Sequence, residues 1–465
     1  MKIKELFSVN DMTQGSPWKR IAEFAVPMLI GNVAQQLYNT ADSVIVGIYV
    51  GDNALAAVGS ATPILNLLLS IFVGLSTGAS IVVSQSFGAK DREQLSKYIG
   101  NCITLAGIAT LVIMIIGPIV TMPLLRILGT PASIINWCAS YLNIFFIGVA
   151  GFFFYNMFSG ILRGMGDSLS ALVFLLVAAA LNVGLDILFV ARFNMGVAGV
   201  SLATVIAQAI SAVLCLIKLM SMRDVFDLNF NTLKMQKRYC IRMLKIGVPS
   251  GITQGIFAIS MLVAQSLTNS LGELVIACNV IIMRVDGFAM LPNMTFGQAM
   301  SVYTGQNVGA GKMDRVSSGV KQGGIMALAF SGSVTVILLF FGHYLFGIFT
   351  DTTELISLAV RMMRILAVGY VCVSVTQVLG GVMRGAGDTV TPMWISILTT
   401  ICLRIPVAYG LAYLTRSADY PNGRPEALFF SLLTAWSLGS IISLVVFKTG
   451  RWKRKMEKNA IDRAF

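Results

Sequence analysis

The sequence predicts an all-α membrane protein whose twelve transmembrane helices form two parallel six-helix repeats. The 465-residue chain is 56% hydrophobic and only 12% charged, with a mean hydropathy of +0.79. Soluble domains carry about 25% charged residues, so lipid must be the solvent for most of this apolar surface. Long apolar stretches and an internal sequence repeat complete the prediction.

Twelve stretches are long enough to be membrane spans, because about 20 apolar residues cross a bilayer. Spans 1 to 6 are predicted at residues 21–48, 55–83, 99–123, 136–160, 169–191 and 197–220. Spans 7 to 12 are predicted at residues 244–270, 275–303, 321–348, 358–382, 389–414 and 427–447. The predicted domains are an N-terminal lobe (1–221), a linker (222–243), a C-terminal lobe (244–448) and a basic tail (449–465).

The repeat is visible in two loop sequences. Arg163-Gly-Met-Gly-Asp167 returns 221 residues later as Arg384-Gly-Ala-Gly-Asp388, and the Gln-x-x-Gly-Ala sequence at Gln85 returns at the same offset. Six spans per half is an even number, so the two copies enter the membrane from the same side. We interpret the Arg-Gly-x-Gly-Asp loops as turns, with a glycine that ends one helix and an aspartate that caps the next. A gating role on the cytosolic side is the alternative.

The positive charges have a one-sided distribution. The net charge is +13, and 26 Lys and Arg residues lie in segments predicted to be cytosolic, against 4 in the outer loops. This asymmetry predicts a multi-pass protein of the cell membrane with both termini in the cytosol, and it disfavours a nucleic-acid surface. The linker is predicted either to lie partly helical on the inner headgroups or to form a solvated loop.

Features of enzymes and metal proteins are missing from the sequence. The seven cysteines include no C-x-x-C pair, and the single histidine, His343, has no ligand partners at metal spacing. Gly311-Lys312 is followed by Met, so no phosphate-binding loop is formed. We therefore expect no enzymatic activity, no cofactor and no resident metal.

Five polar side chains of the first half fall in the outer half of the predicted membrane core. A charged side chain there costs about 2.5–3.5 kcal/mol on insertion scales, and Asn182 and Asp186 share a helix face because they are four residues apart. Oxygen ligands suit hard cations, so we predict a site for H+ or Na+; a hydrogen-bonded structural cluster is the alternative. The candidate residues are Asp42, Tyr141, Asn182, Asp186 and Thr204.

The second half does not repeat this set. At the repeat offsets, Asp42 corresponds to Ala264 and Asp186 to Val407, and only Thr204 keeps a like partner, Thr434. The second half has its own charges within spans 8 and 11, where we expect Asp286 to pair with Arg404. The candidates for substrate contact or gating are Gln36, Arg284, Asp286, Arg404 and the methionines Met28, Met261 and Met290, which could form an adaptable cavity wall or simply pack.

With these features the chain resembles the MATE (multidrug and toxic compound extrusion) family over nearly its whole length. The resemblance rests on the parallel halves, Pro27 and Asp42 in span 1, and the repeated loops. Asn182-x-x-x-Asp186, with Tyr141 and Thr204, is similar to the DinF-like branch, in which the corresponding residues form a cation site. The resemblance implies a V-shaped pair of lobes that functions as a monomer and exports amphipathic, often cationic compounds in exchange for H+ or Na+.

Two other transporter classes are considered. One is a lipid-linked precursor flippase of the same superfamily. The other is a major-facilitator-type carrier, whose loop signature is only partly matched by the sequence from Gly88 to Arg92. A receptor without transport activity is less consistent with the sequence, because it would not need acids gathered inside the membrane.

Overall fold

The computed structural model describes residues 10–418 and 420–453, and all regular structure within these residues is helical. The chain divides into two compact units. The first contains Val26–Gly251, and the second contains Met12–Ala25 and the chain from Ile252 onward. The boundaries between these units lie inside helices, whereas the predicted domain limits follow the sequence repeat. The predicted division into lobes, linker and tail therefore stays a prediction. Most of the predicted tail lies outside the described residues.

The first unit carries the helices of the first repeat and the linker. Helix α1 begins in the second unit and enters the first at Val26. The helices are α1 (Pro17–Tyr49), α2 (Asp52–Gly88), α3 (Arg92–Ile127), α4 (Ile135–Ile147), α5 (Val149–Gly164), α6 (Ser168–Asp186), the π-helical segment Ile187–Arg192, α7 (Gly196–Met220) and the short α8 (Phe230–Leu233).

The second unit has the same order of spans, with a single helix in place of the bent pair α4 and α5 and, within the described residues, no counterpart of α8. Helix α9 begins in the first unit and enters the second at Ile252. The helices are α9 (Lys237–Ser270), α10 (Glu273–Gly309), α11 (Met313–Gly347), α12 (Thr353–Gly385), α13 (Val390–Ser396), the π-helical segment Ile397–Leu403, α14 (Arg404–Leu414) and α15 (Glu426–Lys448). Helices α2 and α10 begin and end 221 residues apart, which is the offset of the sequence repeat.

All twelve predicted spans are helical, which confirms the fold class. In the described chain, ten helices are long and apolar enough to cross a membrane, or eleven when the bent pair α4 and α5 counts as one span. Helix α1 falls short of that hydropathy because amide side chains such as Asn32, Gln35 and Gln36 interrupt its apolar sequence. Helix α1 therefore carries amide side chains within predicted span 1.

Irregular helix geometry appears at three places that the sequence did not indicate. Span 4 bends by 53° between α4 and α5, at Gly148, whose missing side chain leaves room for Val205 of α7. The two π-helical segments occur in spans 5 and 11, one directly after Asp186 and the other directly before Arg404. π-helical turns are rare and often lie at functional sites.

The repeated Arg-Gly-x-Gly-Asp loops are turns with caps, as predicted. Gly166 and Gly387 have φ angles of 92° and 91°, a left-handed conformation that glycine adopts without strain. Asp167 accepts hydrogen bonds from the backbone N–H and hydroxyl of Ser170 at 2.9 and 2.7 Å. Asp388 accepts the equivalent pair from Thr391 at 3.2 and 2.6 Å. Each aspartate thus satisfies N–H groups that the start of a helix leaves free.

The linker packs along α3 rather than lying free. Arg92 donates two hydrogen bonds to the carboxylate of Asp227, at 2.8 and 3.1 Å. Further along, Thr104 donates to the carbonyl of Leu233 at 2.7 Å, and Asn101 accepts from the backbone of Gln236 at 2.7 Å. These bonds tie the segment before α9 to the first unit.

The segment before α1 is held in the same way by the second unit. Arg315, in the first turn of α11, donates to the carbonyls of Met12 and Gly15 at 3.1 and 2.8 Å. Gln306 accepts from the backbone N–H of Met12 at 2.9 Å, and Lys312 donates to the carbonyl of Thr13 at 2.9 Å. The segment before the first repeat is therefore bound to helices of the second repeat, and the linker before the second repeat is bound to helices of the first.

Candidate functional site

The five residues predicted for the ion site come together within the first unit. Asn182 and Asp186 lie one turn apart on α6 and are almost completely buried. The Asn182 amide donates to the Thr204 hydroxyl at 3.3 Å, which joins α6 to α7. On α4, the carbonyl of Tyr141 accepts a 2.9 Å hydrogen bond from Ser201 of α7, and the charges of Asp42 and Asp186 act on its phenol.

The two carboxyl groups form the centre of this cluster. Asp42 of α1 and Asp186 of α6 lie within hydrogen-bonding distance of each other. A carboxylate is only an acceptor, so two ionised groups in this position repel each other unless a proton or a cation lies between them. The arrangement therefore favours the binding of positive charge.

Several acceptor atoms in the cluster have no donor. Four buried oxygen atoms accept no hydrogen bond from the described residues. They are Oδ1 and Oδ2 of Asp186, Oδ1 of Asp42 and Oδ1 of Asn182. An unpaired buried acceptor costs roughly 1–3 kcal/mol, and more when the group is charged. Four of them in one place form an oxygen-rich set of the kind that binds hard cations.

Tyr38 was missed by the sequence reasoning. Its buried phenol lies within hydrogen-bonding reach of both Asp42 and Thr204, so it links α1 to α7. The signal was present, because Tyr38 is four residues before Asp42 and therefore on the same helix face. A search for i, i+4 neighbours, which paired Asn182 with Asp186, would have found it.

In the second unit the predicted charge pair does not form. Asp286 of α10 accepts a 2.7 Å hydrogen bond from the Tyr370 hydroxyl of α12, and Arg404 of α14 donates to the Ser260 hydroxyl of α9 at 2.8 Å. Each charge acts on the other, but among the ion pairs of the described residues none joins Asp286 to Arg404. The expected pairing is wrong because each group has a neutral partner of its own.

The other candidates are scattered. Arg284 is exposed, and Met261 is 48% exposed, whereas Met28 is 5% exposed. Met290 and Gln36 are half-buried, and the backbone carbonyl of Gln36 accepts from Thr40 at 3.0 Å. The roles of these residues in substrate contact or gating stay predictions.

Comparison with known proteins gives a consistent result. The family model MatE matches residues 27–188 and again residues 249–410, which together are more than half of the chain. The two matches are offset by 222 residues, within one residue of the 221-residue repeat seen in the sequence, so each repeat corresponds to one copy of the family domain.

Relatives match over nearly their full lengths. The chain is 28% identical over 449 residues to the "Probable multidrug resistance protein YoeA" of Bacillus subtilis, covering 95% of each protein. It is 23% identical over 448 residues to the "Probable multidrug resistance protein NorM" of Thermotoga maritima, covering 94% of this chain and 93% of the relative. An outward-facing multidrug resistance MATE transporter has the same fold, with a TM-score of 0.89 and 22% identity over 97% of this chain and 99% of the other.

Proposed function

Since the chain belongs to the MATE family of multidrug efflux transporters, we propose that it exports amphipathic, often cationic compounds in exchange for H+ or Na+. We further propose that it works as a monomer in the cell membrane with both termini in the cytosol, in line with the charge distribution. The major-facilitator alternative is wrong, because both repeats match the MatE family model.

One observation carries the coupling proposal. The carboxyl groups of Asp42 and Asp186 lie within hydrogen-bonding distance of each other in the first unit, and three of their four oxygens lack donors within the described chain. A proton shared between them, or a sodium ion bound by their oxygens, removes the repulsion and satisfies these acceptors. The site therefore binds its ion tightly only in the conformation that brings the two acids together.

That dependence on conformation is what couples the ion to transport. An ion shifts a conformational equilibrium only as far as its affinities for the two states differ. Asp42 lies on α1, whereas Asp186 and Asn182 lie on α6, so movement of α1 against α6 changes the affinity for the ion. Tyr38 and Thr204 connect α1 to α7 and would move with the same rearrangement.

Transport by the purified protein in proteoliposomes tests the proposal. With a fluorescent cationic dye, we expect a proton gradient or a sodium gradient, each imposed alone, to drive dye movement. Asp42→Asn and Asp186→Asn should each reduce gradient-driven transport at least tenfold, whereas Asp351→Asn, at an exposed acid outside the helices, should not. Transport that neither gradient drives, or that both Asn variants retain, contradicts the proposal.

A lipid-linked precursor flippase is a second candidate, and Arg404 favours it. The guanidinium lies within a predicted span and donates to the neutral hydroxyl of Ser260, so its positive charge could receive an anionic headgroup. Headgroup translocation by the same proteoliposomes, lost in Arg404→Gln but kept in Asp186→Asn, would support the flippase over the antiporter.

A further inference from the structure

The second unit contains a cavity that plays no part in the proposed ion coupling. Its volume is about 160 Å3, and it lies between α11, α12 and α15. Most of the wall is aliphatic, including Val320, Leu379 and Leu444, and one polar residue, Ser374 of α12, takes part in the lining. At Gly324 of α11 no atom lies within 4 Å of the position that a side chain would occupy, so part of the space exists because that residue is glycine.

The first repeat fills the corresponding region with aromatic rings. Phe72 of α2 and Phe153 of α5 stack with their ring centroids 3.5 Å apart. Phe154 and Phe158, one turn apart on α5, stack at 5.5 Å. Three of these four rings are almost fully buried and belong to the hydrophobic core of the first unit.

The second repeat replaces every one of these rings by a smaller side chain. At the 221-residue offset, Phe72 and Phe153 correspond to Asn293 and Ser374, and Phe154 and Phe158 correspond to Val375 and Leu379. The offset is reliable here, because α2 and α10 begin and end at equivalent positions, and α5 and α12 end at equivalent glycines. Three of these four positions, Ser374, Val375 and Leu379, line the cavity, whereas Asn293 does not, so the cavity borders the side of α12 on which the second copy has lost ring volume.

The substitutions also leave polar atoms unsatisfied. Ser374 and Asn293 are each 1% exposed. Among the described residues, neither the Ser374 hydroxyl nor Oδ1 of Asn293 has a hydrogen-bond partner. An unpaired buried polar atom destabilises the folded protein, whereas a ligand that carries a hydroxyl group could satisfy Ser374. A purely structural loss of the rings would not require polar replacements.

We propose that this cavity binds a monocyclic aromatic compound bearing one hydroxyl group, of which phenol is the simplest member. The ring takes the place of the missing phenylalanine side chains, and its hydroxyl pairs with Ser374. The size is appropriate, because apolar cavities of about 150 Å3 bind benzene. This binding does not depend on transport, so an experiment that refutes it would leave the proposed antiport untouched, and the reverse also holds.

The full-length protein in detergent allows a direct test with two matched probes. Phenol and 1-hexanol each have six carbons and one hydroxyl, but only phenol has a ring. We expect saturation-transfer NMR and a ligand-dependent rise in Tm to detect phenol binding, with 1-hexanol at least about fivefold weaker. Equal binding of both probes would identify a groove for linear chains, such as lipid acyl chains, and would overturn the proposal.

Variants at the cavity locate the site. Ser374→Ala keeps the space and removes the hydroxyl, so it should weaken phenol about fivefold, the value of one net hydrogen bond of roughly 1 kcal/mol, and leave toluene unchanged. Leu379→Phe restores a ring of the first copy and should abolish binding of both while the protein stays folded. Ser374→Phe provides a second filled variant should Leu379→Phe not fold.

The matched control removes a hydroxyl of the second unit that does not line the cavity. Thr434→Ala, at a residue of α15 that does not line the cavity and whose hydroxyl donates to the carbonyl of Phe430 in its own helix, should leave phenol binding as in the wild type. Phenol binding that survives both filled variants, or that is lost equally in Thr434→Ala, would place the ligand elsewhere and refute the assignment.

Discussion

The two units share one scaffold but carry different groups within it. Both have an arginine-fastened entry segment, a capped Arg-Gly-x-Gly-Asp turn and a π-helical segment in the equivalent span. The first unit contains two acids within hydrogen-bonding distance of each other, whereas the second holds Asp286 and Arg404 apart on neutral partners. The two units thus share the contacts that set helix geometry, and they differ in the charged residues buried within the helices.

The largest expected difference between the units is in ion coupling. Asp186→Asn should reduce gradient-driven dye transport at least tenfold, because it removes one of the two facing acids. Asp286→Asn should retain most of the transport, because the amide oxygen can still accept from Tyr370. Paired transport assays at equal reconstituted protein test the contrast. A greater loss in Asp286→Asn would place coupling in the second unit.

Each unit has a close contact between two helices at a glycine, and replacing that glycine should lower the stability of both units alike. A side chain at Gly164 would meet the backbone carbonyl of Ser80, and one at Gly385 would meet the equivalent carbonyl of Ser301. Overpacking of this kind costs about 1–3 kcal/mol, so Gly164→Ala and Gly385→Ala should both lower Tm. Gly332→Ala, where no atom lies within 4 Å, is the control. A normal Tm for either contact variant would mean that the helices can separate without cost.

Much of this fold could be predicted because membrane solvation is a strong constraint. Apolar length predicted twelve helical segments, of which ten or eleven in the described chain are apolar enough to cross a membrane, and the turn sequences predicted the caps on Asp167 and Asp388. The ion cluster was found because i, i+4 spacing and helix depth are both readable from sequence. The Asp286–Arg404 pair failed because spacing along one helix does not reveal neutral partners on others, here Tyr370 and Ser260. The π-helical segments and the cavity depend on packing between helices, which no local pattern encodes.

The fastening of the two entry segments should differ in strength. Arg315 donates to two backbone carbonyls and to Asn307, so Arg315→Gln should free the segment before α1 and cost about 1 kcal/mol. Hydrogen exchange at residues 12–16 would report the release. Arg92 also donates to two backbone carbonyls, those of Arg223 and Asp224, but its side chain and that of Asp227 are each more than half exposed, so Arg92→Gln should have a smaller effect. Equal protection in Arg315→Gln and wild type would show that other contacts hold this segment.

The smallest expected effect is the pH dependence of the linker. Hydrogen bonds from Arg92 lower the pKa of the Asp227 carboxyl below its usual value, which is about 3.9 in an unfolded chain. Because the folded pKa is the lower one, the bridge contributes its full stability above pH ~4 and loses it as the pH falls through the folded value. The Tm difference between wild type and Asp227→Asn should therefore be small at neutral pH and vanish in acid. High salt should reduce it further, because exposed charges are screened. A difference that grows as the pH falls would mean that Asp227 stabilises the linker in its protonated form, and that the contact with Arg92 is not what fastens this segment to α3.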